Sequence, residues 1–125
     1  MCGKGWIFGR GVLEIGSQSW LSPGCTLYTH RDAPIVIGER CDIGPEVAFV
    51  TGSHELGAAD RRAGIGTAFP IRIGDGCWIG ARSLILGGVE IGAGCMIAAG
   101  SVVTKSLPPN VFAAGVPAVE KRRLD

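Results

Sequence analysis

An aliphatic side chain returns every sixth residue through the second half of the chain, at Ile73, Ile79, Ile85, Ile91, Ile97 and Val103, without a slip. Glycine or alanine follows four of these six (Gly74, Gly80, Gly92, Ala98). A small or β-branched residue stands four places after each of the first five: Cys77, Ser83, Val89, Cys95 and Ser101. The same phase is present upstream as Ile15-Gly16, Leu21 and Leu27, then as Ile37-Gly38, Ile43-Gly44 and Phe49. An amphipathic helix repeats at about 3.6 residues, and a simple half-buried strand of this sequence would spread its apolar residues over both faces. A coil with three short flat faces per turn accommodates the pattern. Each face sends one aliphatic side chain inward, and the adjacent glycine serves the corner where the backbone turns tightly. Residues eighteen apart, such as Ile73 and Ile91 or Ile79 and Ile97, then stack to form the core. A repeat of this kind sets the architecture before any other signal does.

Composition agrees with such a coil. The 21 glycines and 7 prolines among 125 residues approach the level of a low-complexity chain. Yet 46% of residues are hydrophobic, enough to build a folded core, and 6% aromatic and 18% charged residues make that core aliphatic and argue against a charged helical bundle. The length predicts one domain spanning 1–125. A formal net charge of +1 calls for no polyanionic partner, so nucleic acid is not expected. Stretches without charged residues, such as Ile15 to His30, are short and carry polar residues, so no membrane span is expected. The opening Met1 to Trp6 lacks the apolar core of a signal peptide, and a cytoplasmic location is predicted. The five cysteines (Cys2, Cys25, Cys41, Cys77, Cys95) are odd in number and form no C-x-x-C pair, which predicts reduced thiols used as small apolar residues. Cys41, Cys77 and Cys95 share the small inward position of the repeat.

A solenoid carries its function where the repeat is interrupted. Tyr28 to Pro34 stretches the Ile15 to Ile37 spacing to 22 residues in place of 18. A second break runs from about 52 to 69, where Glu55, Arg61 and Thr67 occupy the positions due an aliphatic, and this polar segment is predicted to be an extruded arm reaching over a neighbouring subunit. His54 stands at the root of that arm. A short C-terminal tail is placed at about 107–125.

The repeat resembles that of the hexapeptide-repeat family, over roughly residues 35–123 and most specifically from Trp78-Ile79-Gly80 to Val103-Thr104-Lys105. Within the family the chain looks most like the galactoside, maltose and nodulation-factor O-acetyltransferases and their relatives in capsule and exopolysaccharide synthesis. The resemblance implies an all-β left-handed parallel β-helix, a homotrimer, and transfer of an acetyl group from acetyl-CoA to a saccharide hydroxyl without a metal.

The same resemblance assigns the site. Val50-Thr51-Gly52-Ser53-His54 resembles the segment that supplies the family's catalytic histidine, and imidazole suits a base that must be neutral near pH 7 yet accept a proton as a hydroxyl attacks. Direct transfer then needs no protein nucleophile. The N–H of Ala81 is the implied oxyanion donor; many relatives have serine there, so this chain lacks the hydroxyl. Trp78, Ala99, Thr104 and Lys105 are carried over as the coenzyme A contacts, with Arg122 as a further cation, and Lys105 suits a phosphate. Asp32 matches the family's acceptor-binding aspartate, with Tyr28, His30 and Glu55 as companions. Gly24 replaces an asparagine and Gly66 a methionine of the family pattern, which leaves the acceptor open. An N-acetyltransferase acting on an amino sugar or nucleotide sugar, and a non-catalytic hexapeptide scaffold, are the alternatives. A zinc hydratase on the same coil would need three histidines, and only His30 and His54 exist.

Overall fold

The structure is a computed structural model that describes residues 5–125, so Cys2 lies outside the described residues. It consists of short strands joined by corners, with no helix among the described residues. The first coil contains β1 (Trp6–Phe8), β2 (Leu13–Ile15) and β3 (Trp20–Leu21); the second contains β4 (Thr26–Tyr28), β5 (Ile35–Ile37) and β6 (Asp42–Ile43). The third begins with β7 (Ala48–Val50) and is interrupted by the hairpin β8 (Gly52–Leu56) and β9 (Ala63–Ala68). It resumes with β10 (Ile71–Ile73) and β11 (Trp78–Ile79). The fourth contains β12 (Leu84–Leu86), β13 (Glu90–Ile91) and β14 (Met96–Ile97). The last contains β15 (Val102–Val103), a bridge from Leu107 to Ile91, and β16 (Val111–Gly115), after which β17 (Ala118–Arg123) turns back antiparallel to β16.

Three parallel sheets form the faces: β1-β4-β7-β12-β15 on face A, β2-β5-β10-β13 on face B, and β3-β6-β11-β14-β16 with β17 on face C. Each strand pairs with its equivalent one coil away, Ile79 meeting Ile43 on one side and Ile97 on the other. This is a left-handed parallel β-helix. The predicted inward residues from Leu21 to Val103 are buried, and Ile79, Ile85 and Ile97 are fully so. Ile7 keeps the inward phase but is half exposed, because no coil covers the first turn among the described residues.

Three details differ from the sequence expectation. Face B sends two aliphatic side chains inward per coil, as Ile35 with Ile37 and Ile71 with Ile73, since a three-residue strand places alternate residues on the same side. The glycine after the aliphatic is not the turning residue. Left-handed backbone falls two residues later, at Arg40, Glu46, Gly76, Arg82 and Gly94, whereas Gly44 and Gly80 are required by close stacking: a Cβ there would lie 2.7 Å from the Ala81 nitrogen and 2.5 Å from the Ala99 nitrogen. The buried cysteines are also hydrogen-bond donors. Cys41, Cys77 and Cys95 stack at one corner, and their thiols point at the carbonyls of Gly74, Gly92 and Pro108 at 3.2, 3.2 and 3.0 Å. Ser19 fills the same position in the first coil and binds the Gly38 carbonyl at 2.6 Å.

Candidate active site

Every long excursion of the chain leaves at the corner between faces A and B. The turn from Gly9 to Val12, the segment from Thr29 to Pro34 and the β8–β9 hairpin all depart there, because each follows a face A strand and precedes a face B strand. The hairpin is anchored at its root. Thr51 is buried and donates its hydroxyl to the Tyr28 carbonyl at 2.6 Å, and its own carbonyl receives the Phe69 N–H at 3.0 Å.

His54 is positioned by the hairpin register. It stands opposite Gly66, which has no side chain to crowd the imidazole, and the register slips between His54 and Leu56. His54 Nδ1 lies 3.0 Å from the Gly64 carbonyl oxygen. A carbonyl only accepts, so a neutral ring carries its hydrogen on Nδ1 and leaves the Nε2 lone pair bare. The ring borders a cleft of about 390 Å³ that also takes in Glu55, Thr67, Phe69, Leu86 and Thr104.

The structure therefore brings His54, Glu55 and Thr104 together, with the exposed Lys105 following Thr104. Asp32 sits at the same corner in the preceding coil. Tyr28 lies on the adjoining edge of face A, its ring stacked on Phe8 at 5.0 Å between centroids. Four other predicted residues are elsewhere. Trp78 projects from face C, 57% exposed, in register with Asp42 and Met96. Arg122 lies along the same face, its guanidinium 5.8 Å from the Phe112 ring centre. Ala81 and Ala99 stack at the corner between faces C and A. The Ala81 carbonyl accepts from the Gly100 N–H at 2.8 Å, while its own N–H has no backbone acceptor among the described residues. Within one chain His54 and Ala81 stand at opposite edges of face A, separated by roughly 10 Å of strand.

Thr67, Phe69 and Leu86 were not anticipated as site residues. Phe69 carried the one usable signal: an aromatic residue where the coil resumes, here 52% exposed over the cleft. Among the described residues no group of three or more His, Cys, Asp and Glu side chains could hold a metal ion, and no helix is long and apolar enough to cross a membrane.

Comparison with known proteins bears on this geometry. Residues 70–105 match the family described as bacterial transferase hexapeptide (six repeats). The chain is 44% identical over 121 residues to galactoside O-acetyltransferase of Escherichia coli, an alignment covering 82% of this chain and 60% of that protein. It superposes on a hexapeptide-repeat-containing acetyltransferase of Vibrio cholerae complexed with acetyl coenzyme A, with TM-score 0.85 and 32% identity over 98% of this chain and 71% of the other. It also superposes on a maltose O-acetyltransferase of Clostridium difficile, with TM-score 0.82 and 31% identity over 98% and 68%. The chain spans about half the length of the curated relatives it matches.

Proposed function

Because the chain belongs to the hexapeptide-repeat acetyltransferases, we propose that it transfers an acetyl group from acetyl-CoA to a saccharide hydroxyl, with His54 as general base. The observation that carries this reading is the Nδ1 contact to the Gly64 carbonyl, which fixes the ring and leaves Nε2 available to take a proton. The residues present fit the donor. Thr104 shares the cleft with His54, Lys105 offers an exposed ammonium for a nucleotide phosphate, and Trp78 presents an open ring for an extended arm. Acetyl-CoA supplies an activated acyl carbon; the chain supplies the proton handling and the placement. His54 Nε2 removes the hydroxyl proton as the acceptor oxygen bonds to the acyl carbon, then returns that proton to the departing thiolate sulfur. The Ala81 N–H faces the charge that develops on the acyl oxygen.

Ala81 and His54 cannot serve one reacting centre from opposite edges of a single chain, so the site is assembled between copies, in a homotrimer whose neighbouring edges meet. Large exposed apolar side chains on the hairpin, Leu56 at 84% and Ile65 at 73%, are consistent with such contacts. The test is coenzyme A thiol release from acetyl-CoA against sugars, amino sugars, nucleotide sugars and serine. His54→Ala should lower kcat on the accepted substrate by about 10²–10⁴-fold while acetyl-CoA affinity barely moves. Near-normal turnover in that variant would place the base elsewhere.

A further inference from the structure

A second cleft, of about 330 Å³, opens at the same corner on the other side of the hairpin and is lined by Gly9, Arg10, Thr29, His30 and Arg31. The ion pairs of the described residues are His30 with Asp32, Arg40 with Glu39 and Arg82 with Glu46, so neither Arg10 nor Arg31 is neutralised by a carboxylate. The Thr29 hydroxyl is already committed: it donates to the Phe8 carbonyl at 2.9 Å and accepts from the Gly11 N–H at 3.0 Å, which shapes the wall. His30 is wired in the opposite sense to His54. Its Nδ1 accepts the Asp32 N–H at 3.1 Å, so the neutral ring keeps its hydrogen on Nε2 and presents a donor there. The Asp32 carboxylate lies 3.8 Å from Nδ1, on the edge of the ring away from Nε2.

Two unpaired guanidiniums and an imidazole donor around one concavity form a receptor for a carboxylate or phosphate, which guanidinium binds through paired N–H groups. We propose that this cleft is an anion subsite and that the acceptor is an acidic saccharide, its charged group held by Arg10, Arg31 and His30. The proposal rests on the saccharide acetyl transfer argued above and narrows the substrate class. Stacked coils are about 4.8 Å apart; this cleft is walled by the first two coils and the His54 cleft by the third to fifth, so their centres lie roughly 10–15 Å apart along the axis, a span suited to an acidic disaccharide or a longer saccharide. Asp32, between them, would accept a hydrogen bond from a sugar hydroxyl.

Calorimetric titration of the protein with glucuronate, glucose 6-phosphate and glucose tests this directly. At least one of the two acids should bind about tenfold or more tightly than glucose, and added salt should weaken only the acids; which acid binds tighter identifies carboxylate or phosphate as the preferred group. Arg10→Gln and Arg31→Gln, singly and together, should erase that preference while acetyl-CoA affinity stays the same, with circular dichroism confirming the fold. Arg31→Lys, which keeps the charge, should restore part of the preference if Arg31→Gln fails to fold. Equal binding of glucose and both acids overturns the proposal, as does weakened acetyl-CoA binding in the arginine variants, which would make the cleft part of the donor site. Thiol release separates the two ideas: turnover of neutral and acidic saccharides alike sinks the subsite and leaves acetyl transfer standing. Acid binding with no thiol release on any saccharide sinks the transfer and leaves the subsite.

Discussion

Two histidines at one corner differ in which ring nitrogen is left bare, and that difference decides what each can do. His54 gives its Nδ1 hydrogen to a carbonyl and keeps a lone pair outward, while His30 receives an N–H at Nδ1 and keeps a hydrogen outward. Nitrogen-15 spectra of the neutral protein should therefore show His54 as the Nδ1–H tautomer and His30 as the Nε2–H tautomer, and the reverse assignment would remove the argument for His54 as base. Lys105→Ala should raise the acetyl-CoA KM and leave kcat nearly intact, since a phosphate contact holds ground and transition states alike; a fall in kcat alone would place Lys105 nearer the chemistry. Burial pushes the Cys25 thiol above its ordinary range. The folded chain therefore favours the protonated thiol, so this contribution to stability is complete below the ordinary thiol pKa and is lost as pH rises beyond it. The urea midpoint should fall above about pH 8.5, and Cys25→Ser, a residue type already used at the stacked positions Ser83 and Ser101, should flatten that fall. An equal pH response in both proteins would refute the assignment. The position of His54 was legible because a repeat fails there. Its tautomer was not, since that depends on Gly64, ten residues away across a slipped register.

The coil and the hairpin are legible to different degrees. A six-residue recurrence maps directly onto stacked faces because each inward residue touches its equivalents in the coils on either side, as Ile79 does with Ile43 and Ile97. Ile79→Asp or Ile97→Asp should therefore abolish soluble folding, because either carboxylate would enter a stack with no polar partner; a soluble variant with native circular dichroism would contradict this register. The second inward residue of face B is legible as Val89 within the unbroken run, but its equivalents Ile35 and Ile71 escaped the pattern because they follow the interruptions and fall outside the run of sixes. The hairpin pairing was also hidden, because Gly52 to Ala68 reads as a polar glycine-containing loop, and its strands are held by backbone hydrogen bonds that side-chain patterning does not report. Its root constrains the next coil: a Cβ on Gly87 would lie 2.6 Å from the Thr51 carbonyl oxygen and 3.0 Å from that of Phe69. Gly87→Ala should cost about 1–3 kcal/mol by chemical denaturation, as overpacking usually does, and should reduce turnover by shifting the hairpin. An unchanged denaturation midpoint would show that the root can give way.

For the molecule as a whole, the separation of His54 from Ala81 predicts a trimer in solution, and light scattering at micromolar concentration that returned a monomer mass would refute it. The family resemblance places both residues in one site, but position along a solenoid does not by itself reveal their separation: the faces are distinguished only by where each six-residue unit falls in the turn. The corners differ in what they tolerate. Backbones stack so tightly beside Gly74 and Gly80 that even a methyl group has no room, with Cβ contacts of 2.5 Å at each. Those two edges act as fixed rulers that keep the screw in pitch. The third edge, where both interruptions leave, has already absorbed extra lengths of different size without disturbing the coils above or below. Beyond roots as tight as Gly87, it is therefore the edge at which a lineage of such proteins can lengthen or shorten its excursions, and new acceptor preferences can arise there without the scaffold having to be refolded around them.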